Sequence, residues 1–182
     1  MDEKLVIAIL AGTSREGRES IKAAKYVAEF GRQQPGVEIV FVDPNELNLP
    51  HDGDRLRDPR YSDITKRADA FFIVTPEYNH GYPGSLKRML DSEYDNYFHK
   101  AVVTAGVSSG PWGGVRVCEA ILPVVHRLGL VPILPEVYFP KIQELFDEQG
   151  NLKPENAERY TKTLQKAYDE LIWMAKALKT AR

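Results

Sequence analysis

One cysteine, Cys118, stands in 182 residues, so no internal disulfide framework is possible and a reducing compartment is expected. Long apolar runs are missing as well. No segment approaches about 18 uncharged apolar residues, the length a membrane span requires. Met1-Asp2-Glu3-Lys4 leads straight into a short apolar run, which is not the pattern of a secretory signal. Positive charge is not in excess: 24 Lys and Arg face 26 Asp and Glu, the formal net charge is -2 and the pI about 6.1. No basic field therefore invites nucleic acid. Neither a repeat nor a dividing linker interrupts the chain, whose length suits one compact domain over 1–182. A cytoplasmic protein with no membrane or nucleic-acid partner is the expectation.

Two nucleotide-binding loops are absent too. There is no G-x-G-x-x-G fingerprint. The spacing Gly12 to Gly17 imitates a triphosphate loop, but Arg18 and Glu19 stand where that loop needs a lysine and a magnesium-binding hydroxyl.

What is present is a regular alternation. Continuous apolar runs at 5–11, 37–42, 70–75 and 101–105 read as strands covered on both faces, hence a parallel sheet. Residues 131–134, with Pro132 and Pro135, read as a fifth strand at an edge. Helical periodicity covers 20–32, 85–97 and 115–128, and a long helix begins near Pro154 with a stripe from Tyr160 through Leu164, Tyr168 and Leu171 to Ala175. The fold class predicted is α/β, a doubly wound five-stranded parallel sheet. Residues 44–63 read as a long polar connection with at most a short helix, and 139–151 as a second irregular stretch.

Three loops at strand ends, where open α/β sheets bind ligands, carry the chemistry. The first runs Gly12-Thr13-Ser14-Arg15-Glu16-Gly17-Arg18-Glu19-Ser20. It offers hydroxyls at Thr13, Ser14 and Ser20, cations at Arg15 and Arg18, and the amides of the following helix, a set that suits a phosphate monoester. The alternative is a plain helix cap with solvated arginines. The second runs Thr75-Pro76-Glu77-Tyr78-Asn79-His80-Gly81-Tyr82-Pro83-Gly84-Ser85-Leu86-Lys87. Its Pro- and Gly-rich turn presents backbone amides and the Tyr78 face without a nucleophile–base pair, a wall for a flat polar ring. Glu77 reads as ordering this turn and His80 as an exposed tip.

The third loop, Gly106-Val107-Ser108-Ser109-Gly110-Pro111-Trp112-Gly113-Gly114, opens on the G-x-S-x-G of a nucleophile elbow, with Ser108 as nucleophile. Against a serine hydrolase stand two facts. The only downstream histidine is His126 and the only acid before it is Glu119, both in one predicted helix. Pro111-Trp112-Gly113-Gly114 also prolongs the loop where an elbow needs a helix. The alternative is a glycine-rich backbone that approaches a planar ligand edge. His51-Asp52-Gly53-Asp54 fits no metal spacing, and Cys118 reads as a small core residue.

Together these loops resemble the NADPH-dependent FMN reductase family, a flavodoxin-like class related to bacterial quinone, azo-dye and chromate reductases. The chain is similar nearly up to Leu134. Residues 76–87 resemble that family's P-E-Y-N-x-x-x-P-G-x-L-K, and 12–20 its phosphate loop G-S-x-R-x-x-S. Ser108-Ser109-Gly110 with Gly113, Gly114 and Arg116 resembles its third loop. The resemblance implies strand order 2-1-3-4-5, bound FMN, NADPH or NADH as hydride donor, a small-molecule electron acceptor, and a homodimer or homotetramer. It implies that Ser14, Arg15 and Ser20 take the FMN phosphate, with Thr13 and Arg18 nearby. Pro76, Glu77, Tyr78 and Asn79 would line the ring, Gly81 would allow close approach, and Ser108 and Gly110 would border the other edge. Thr13 replaces a frequent serine, and Arg88-Met89 a frequent Asn-Ala. A non-catalytic FMN electron carrier is the alternative within the fold, separated by its indifference to nicotinamide. The choice between NADPH and NADH stays open, because it turns on whether Arg55, Arg57 and Arg60 of the long connection reach a 2′-phosphate on the donor.

Overall fold

A computed structural model describes residues 4–49 and 57–182. In chain order the elements are β1 (Leu5–Ala11), α1 (Ser20–Arg32), β2 (Val37–Val42), α2 (Pro59–Arg67), β3 (Ala70–Pro76), α3 (Gly84–Asp91), β4 (Lys100–Val107), α4 (Val115–Arg127), β5 (Leu130–Pro132), β6 (Val137–Phe139), α5 (Ile142–Leu145) and α6 (Pro154–Ala181). The strands pair in parallel in the order β2-β1-β3-β4-β5, and β6 also pairs with β4.

The continuous apolar strands follow from burial on both faces. Alternate residues point to opposite sides, so Ile7, Ile9, Phe72, Val74 and Val103 pack against α1 and α6. Ala8, Leu10, Phe71, Ile73 and Val102 face the layer of α2, α3 and α4. In α6 the predicted stripe is the buried face: Tyr160, Leu164, Ala167, Tyr168, Leu171 and Ala175. Tyr168 donates its hydroxyl to the Val27 carbonyl at 2.8 Å and Tyr160 to that of Tyr138 at 3.1 Å, which satisfies the two phenols that this helix drives into the core.

The predicted fifth strand is present at the sheet edge as β5, and the structure adds a sixth segment beside it. Two short segments share that side of β4: β5 pairs with Lys100–Val102 and β6 with Ala105–Val107. Ile133 N still donates to Val102 O at 3.0 Å, but Pro135 has no N–H to continue the ladder, so the chain leaves the edge at 134–136 and returns. The sheet therefore has six strands in five positions. The connection at 44–63 also holds more order than expected. Asp58 caps α2 by accepting from the Tyr61 amide at 3.0 Å, and Pro59 occupies the first turn. The helix expected at 85–97 ends at Asp91, and a 3-10 turn at Asp95–Tyr97 follows. Buried Glu93 lies between them and accepts from Asn96 and Arg57 at 2.9 and 3.3 Å, as well as from Ser62.

This topology puts the carboxyl ends of β1, β3 and β4 side by side. Ladder bonds run on into the loops, with the Gly12 amide donating to the Val74 carbonyl at 2.8 Å and the Glu77 amide to that of Val107 at 2.9 Å. Among the described residues, no helix is long and apolar enough to cross a membrane. No group of three or more His, Cys, Asp and Glu is placed to hold a metal ion among them either. His51-Asp52-Gly53-Asp54 and Arg55 lie outside the described residues.

Candidate functional site

The first loop leaves β1 at Gly12, where an added Cβ would stand 2.4 Å from that of Thr75. Only glycine lets β1 and β3 stay this close at the mouth of the sheet. Gly17, at φ +64, turns the loop into α1. Ser14 and Arg15 are exposed, whereas Ser20 is buried at the first position of α1, after the N-cap Glu19, whose side chain makes no cap bond. Arg18 is tied down. Its guanidinium pairs with Asp43 in the connection after β2, and the two side chains are 11% and 13% exposed. Arg18 Nε is buried without a partner.

The second loop is a two-residue hairpin turn. Asn79 (φ 49) and His80 (φ 66) both take the left-handed region, and Tyr78 and Gly81 exchange both backbone bonds at 2.9 Å. Two consecutive positive φ values define the primed turn that hairpins prefer, and Asn and His tolerate the region better than most residues. Asn79 and His80 thus form an exposed tip. Gly81 is not required by the turn, since a Cβ there would meet only the Tyr78 carbonyl at 3.7 Å. Glu77 reaches beyond its own turn: Oε1 accepts from Arg116 at 3.3 Å, while Oε2 is buried without a partner.

The third loop folds back on its strand. A Cβ at Gly106 would lie 2.4 Å from the Gly114 carbonyl oxygen. Ser108 Oγ donates to the Gly110 carbonyl at 2.9 Å. Residues 139–143 clamp the loop: the Ser108 amide donates to Phe139 O, Lys141 N to Gly110 O, and Ile142 N to Ser108 O, at 2.9 to 3.1 Å. Gln143 Nε2 adds a bond to Ser109 O at 3.2 Å. His126 is exposed in the last turn of α4, about 16 Å along the axis from that helix's start at 1.5 Å per residue. Among the described residues no base bonds to Ser108, whose hydroxyl is spent on the Gly110 carbonyl, and the elbow reading fails on geometry.

Between the three loops lies a cleft of about 410 Å³, inside the roughly 300–1,000 Å³ typical of small-molecule sites. Of the residues singled out from sequence, Arg15, Arg18, Ser20, Pro76, Glu77, Tyr78 and Ser108 line it. Thr13, Ser14, Asn79, Gly81 and Gly110 are not part of the lining: Thr13 is buried, while Ser14 and Asn79 are exposed outside it. Ser14 braces the first loop, its amide donating to Ser85 Oγ at 3.2 Å. Ile142 and Gln143 also line the cleft. Sequence reasoning missed them because a four-residue helix is too short for periodicity to register. Cys118 takes no part: burial first, then the Glu136 carboxylate, pushes its thiol up to about 12. Arg57 and Arg60 are engaged by Glu93 and Glu46, at 3.3 and 2.7 Å.

A cationic end, a flat wall and no nucleophile–base pair describe a holder of a phosphorylated planar group. Comparison with known proteins agrees. A quinone reductase of Pseudomonas putida is 27% identical over 163 residues, 84% of this chain and 87% of its own length. An NAD(P)H-dependent FMN reductase of Schizosaccharomyces pombe is 29% identical over 184 residues, 90% of this chain and 87% of its own. In fold, the chain is similar to FerB, a flavoenzyme NAD(P)H:(acceptor) oxidoreductase from Paracoccus denitrificans, with a TM-score of 0.77 at 22% identity over 95% of this chain and 98% of that one. The family described as NADPH-dependent FMN reductase matches residues 5–144. That match runs from β1 into α5 and takes in all three loops of the cleft, so the chain belongs to the NADPH-dependent FMN reductase family.

Proposed function

We propose that the chain holds FMN in the cleft above β1, β3 and β4 and passes hydride equivalents from NADPH or NADH to small oxidised acceptors such as quinones, azo compounds or free flavin. The observation that carries this reading is the division of one cleft into a cationic end and a flat wall poor in reactive side chains. Arg15, Ser20 and the first amides of α1 would hold the phosphate. Arg18 Nε, a buried donor lacking an acceptor, fits an anion at the same end. Pro76, Glu77 and Tyr78 on one side, with Val107 and Ser108 on the other, would border the ring. When bound, FMN supplies the two-electron chemistry, and the protein supplies position and electrostatics.

The chain's own residues then bind, orient and exclude water. Ser108 keeps its proton on the Gly110 carbonyl, so it is no acid or base. The carboxylate of Glu77 is held by Arg116, which keeps it turned toward α4. Arg57 and Arg60 are paired with Glu93 and Glu46 but are themselves more than half exposed; pairs this exposed neither bar nor select a 2′-phosphate, and both nicotinamide nucleotides stand as donors.

The same reading takes residues 1–182 as one FMN-binding domain of the cytoplasm that works as a homodimer or homotetramer. Two cores on one sheet support the first point and the lone buried thiol the second. Trp112, Leu134 and Trp173, left 66%, 76% and 63% exposed, support the third. The test is Arg15→Ala followed by flavin-fluorescence titration. A charge-assisted bond of about 1.5–3 kcal/mol predicts a loss of FMN affinity of roughly tenfold or more. Unchanged affinity would contradict the anion end.

A further inference from the structure

Thr13 sits in the anion loop but does not line the cleft. It is 2% exposed, and its hydroxyl is engaged inside the protein. The Arg15 amide donates to Oγ1 at 3.3 Å, and the Tyr78 hydroxyl lies 3.2 Å from the same atom. A threonine hydroxyl has one proton and two lone pairs. One lone pair takes the Arg15 amide, and the Tyr78 phenol takes either the proton or the second lone pair.

Tyr78 is the aromatic residue that lines the cleft. Its backbone is fixed by the paired bonds to Gly81. The phenolic oxygen is the ring's single polar atom and stands at the far end of the side chain, so a bond there fixes how the ring lies against the cleft. Ring and anion loop are 65 residues apart in sequence and meet at this one hydroxyl. We propose that Thr13 is a positioning residue that acts through Tyr78: it latches the aromatic wall to the anion loop and is not a phosphate ligand. The kinetic consequence rests on the reading of the cleft given above, whereas the latch is a property of the free protein and is measured there.

Thr13→Val removes the hydroxyl at nearly constant volume, Tyr78→Phe removes its partner, and Thr13→Ser keeps the bond. In the FMN-free protein each of the first two lowers the urea midpoint, and the double variant lowers it no further than the larger single change. By fluorescence titration, Thr13→Val keeps its FMN dissociation constant within about threefold of the parent, while Arg15→Ala exceeds about tenfold. With NADPH and a quinone, Thr13→Val and Tyr78→Phe raise KM by a similar factor, about three- to tenfold, with kcat within about twofold, and Thr13→Ser restores the parent values. Additive midpoint losses would overturn the latch. An FMN affinity loss in Thr13→Val matching that of Arg15→Ala would make Thr13 a phosphate ligand and overturn the proposal. A parent protein that takes up no FMN would instead end the reading of the cleft, and the midpoint comparison would still decide the latch.

Discussion

Arg15 and Arg18 are three residues apart in one loop and have different duties. Arg15 is exposed at the cleft, while Arg18 is nearly buried against Asp43 and holds the loop to the connection after β2. Residue type alone could not separate them, because the separating partner lies 25 positions downstream. The same holds for Glu77, whose partner Arg116 is 39 positions away. Residues that act through the loop's own chemistry were legible: Arg15, Ser20, Pro76, Tyr78 and Ser108 were nominated from sequence and line the cleft. Ser108 sharpens the contrast between motif and site. Its hydroxyl donates to a backbone carbonyl, so Ser108→Ala loses one neutral hydrogen bond of about 1 kcal/mol and should cost less than about tenfold in kcat/KM. Steady-state turnover of a quinone with NADPH checks this. Abolished turnover together with esterase activity in the parent would restore the hydrolase.

Among the elements, β1, β2 and α1 have the bounds that the sequence predicts, because an uninterrupted apolar run or an uninterrupted 3.6-residue stripe marks its own ends. The polar connection concealed α2. Only Tyr61 and Thr65 of that helix are buried, too few to make a stripe, although Asp58-Pro59 is a start signal by itself. That cap can be tested. Asp58 accepts from Asn48 N at 2.7 Å and from Tyr61 N at 3.0 Å. Asp58→Ala removes both bonds and should destabilise the protein by about 1–2 kcal/mol, read as a lower urea midpoint with an unchanged slope. No change would mean that α2 is held by packing alone. The split edge at β5 and β6 was illegible for a different reason. Three-residue strands have no measurable period, and the prolines that end the first also hide the return of the second.

For the molecule as a whole, the sheet's far end sets the response to alkali. Lys100 Nζ is enclosed there and donates to the carbonyls of Thr65 and Lys66 at 2.7 and 3.1 Å. Burial first, and then the Arg182 guanidinium, lowers its ammonium from 10.5 to about 8, against the pull of Asp69. Between those two values the unfolded chain binds more protons than the folded one, so stability rises with pH across that window and is flat below it. The phenols of Tyr61, Tyr97, Tyr160 and Tyr168 are all pushed up by burial. Above their ordinary value of 10.0, the folded chain keeps protons that the unfolded chain releases, and stability falls. Cys118, raised from 9.0 to about 12 by burial, offsets this rise above pH 9, so urea unfolding of the FMN-free protein should show a rise above pH 8 that levels off above pH 9 and becomes a fall near pH 10, where the tyrosine effect takes over. Lys100→Met should abolish the rise and keep the fall, and identical profiles for the two proteins would refute the assignment.

The most direct measurement of the central claim is the visible spectrum of the purified protein, saturated with FMN, before and after anaerobic NADPH. The account predicts flavin absorption that co-elutes with the chain, bleaches on adding NADPH, and returns when a quinone is supplied. A protein that retains no FMN, or one whose bound flavin stays yellow in excess NADPH and NADH, would contradict it.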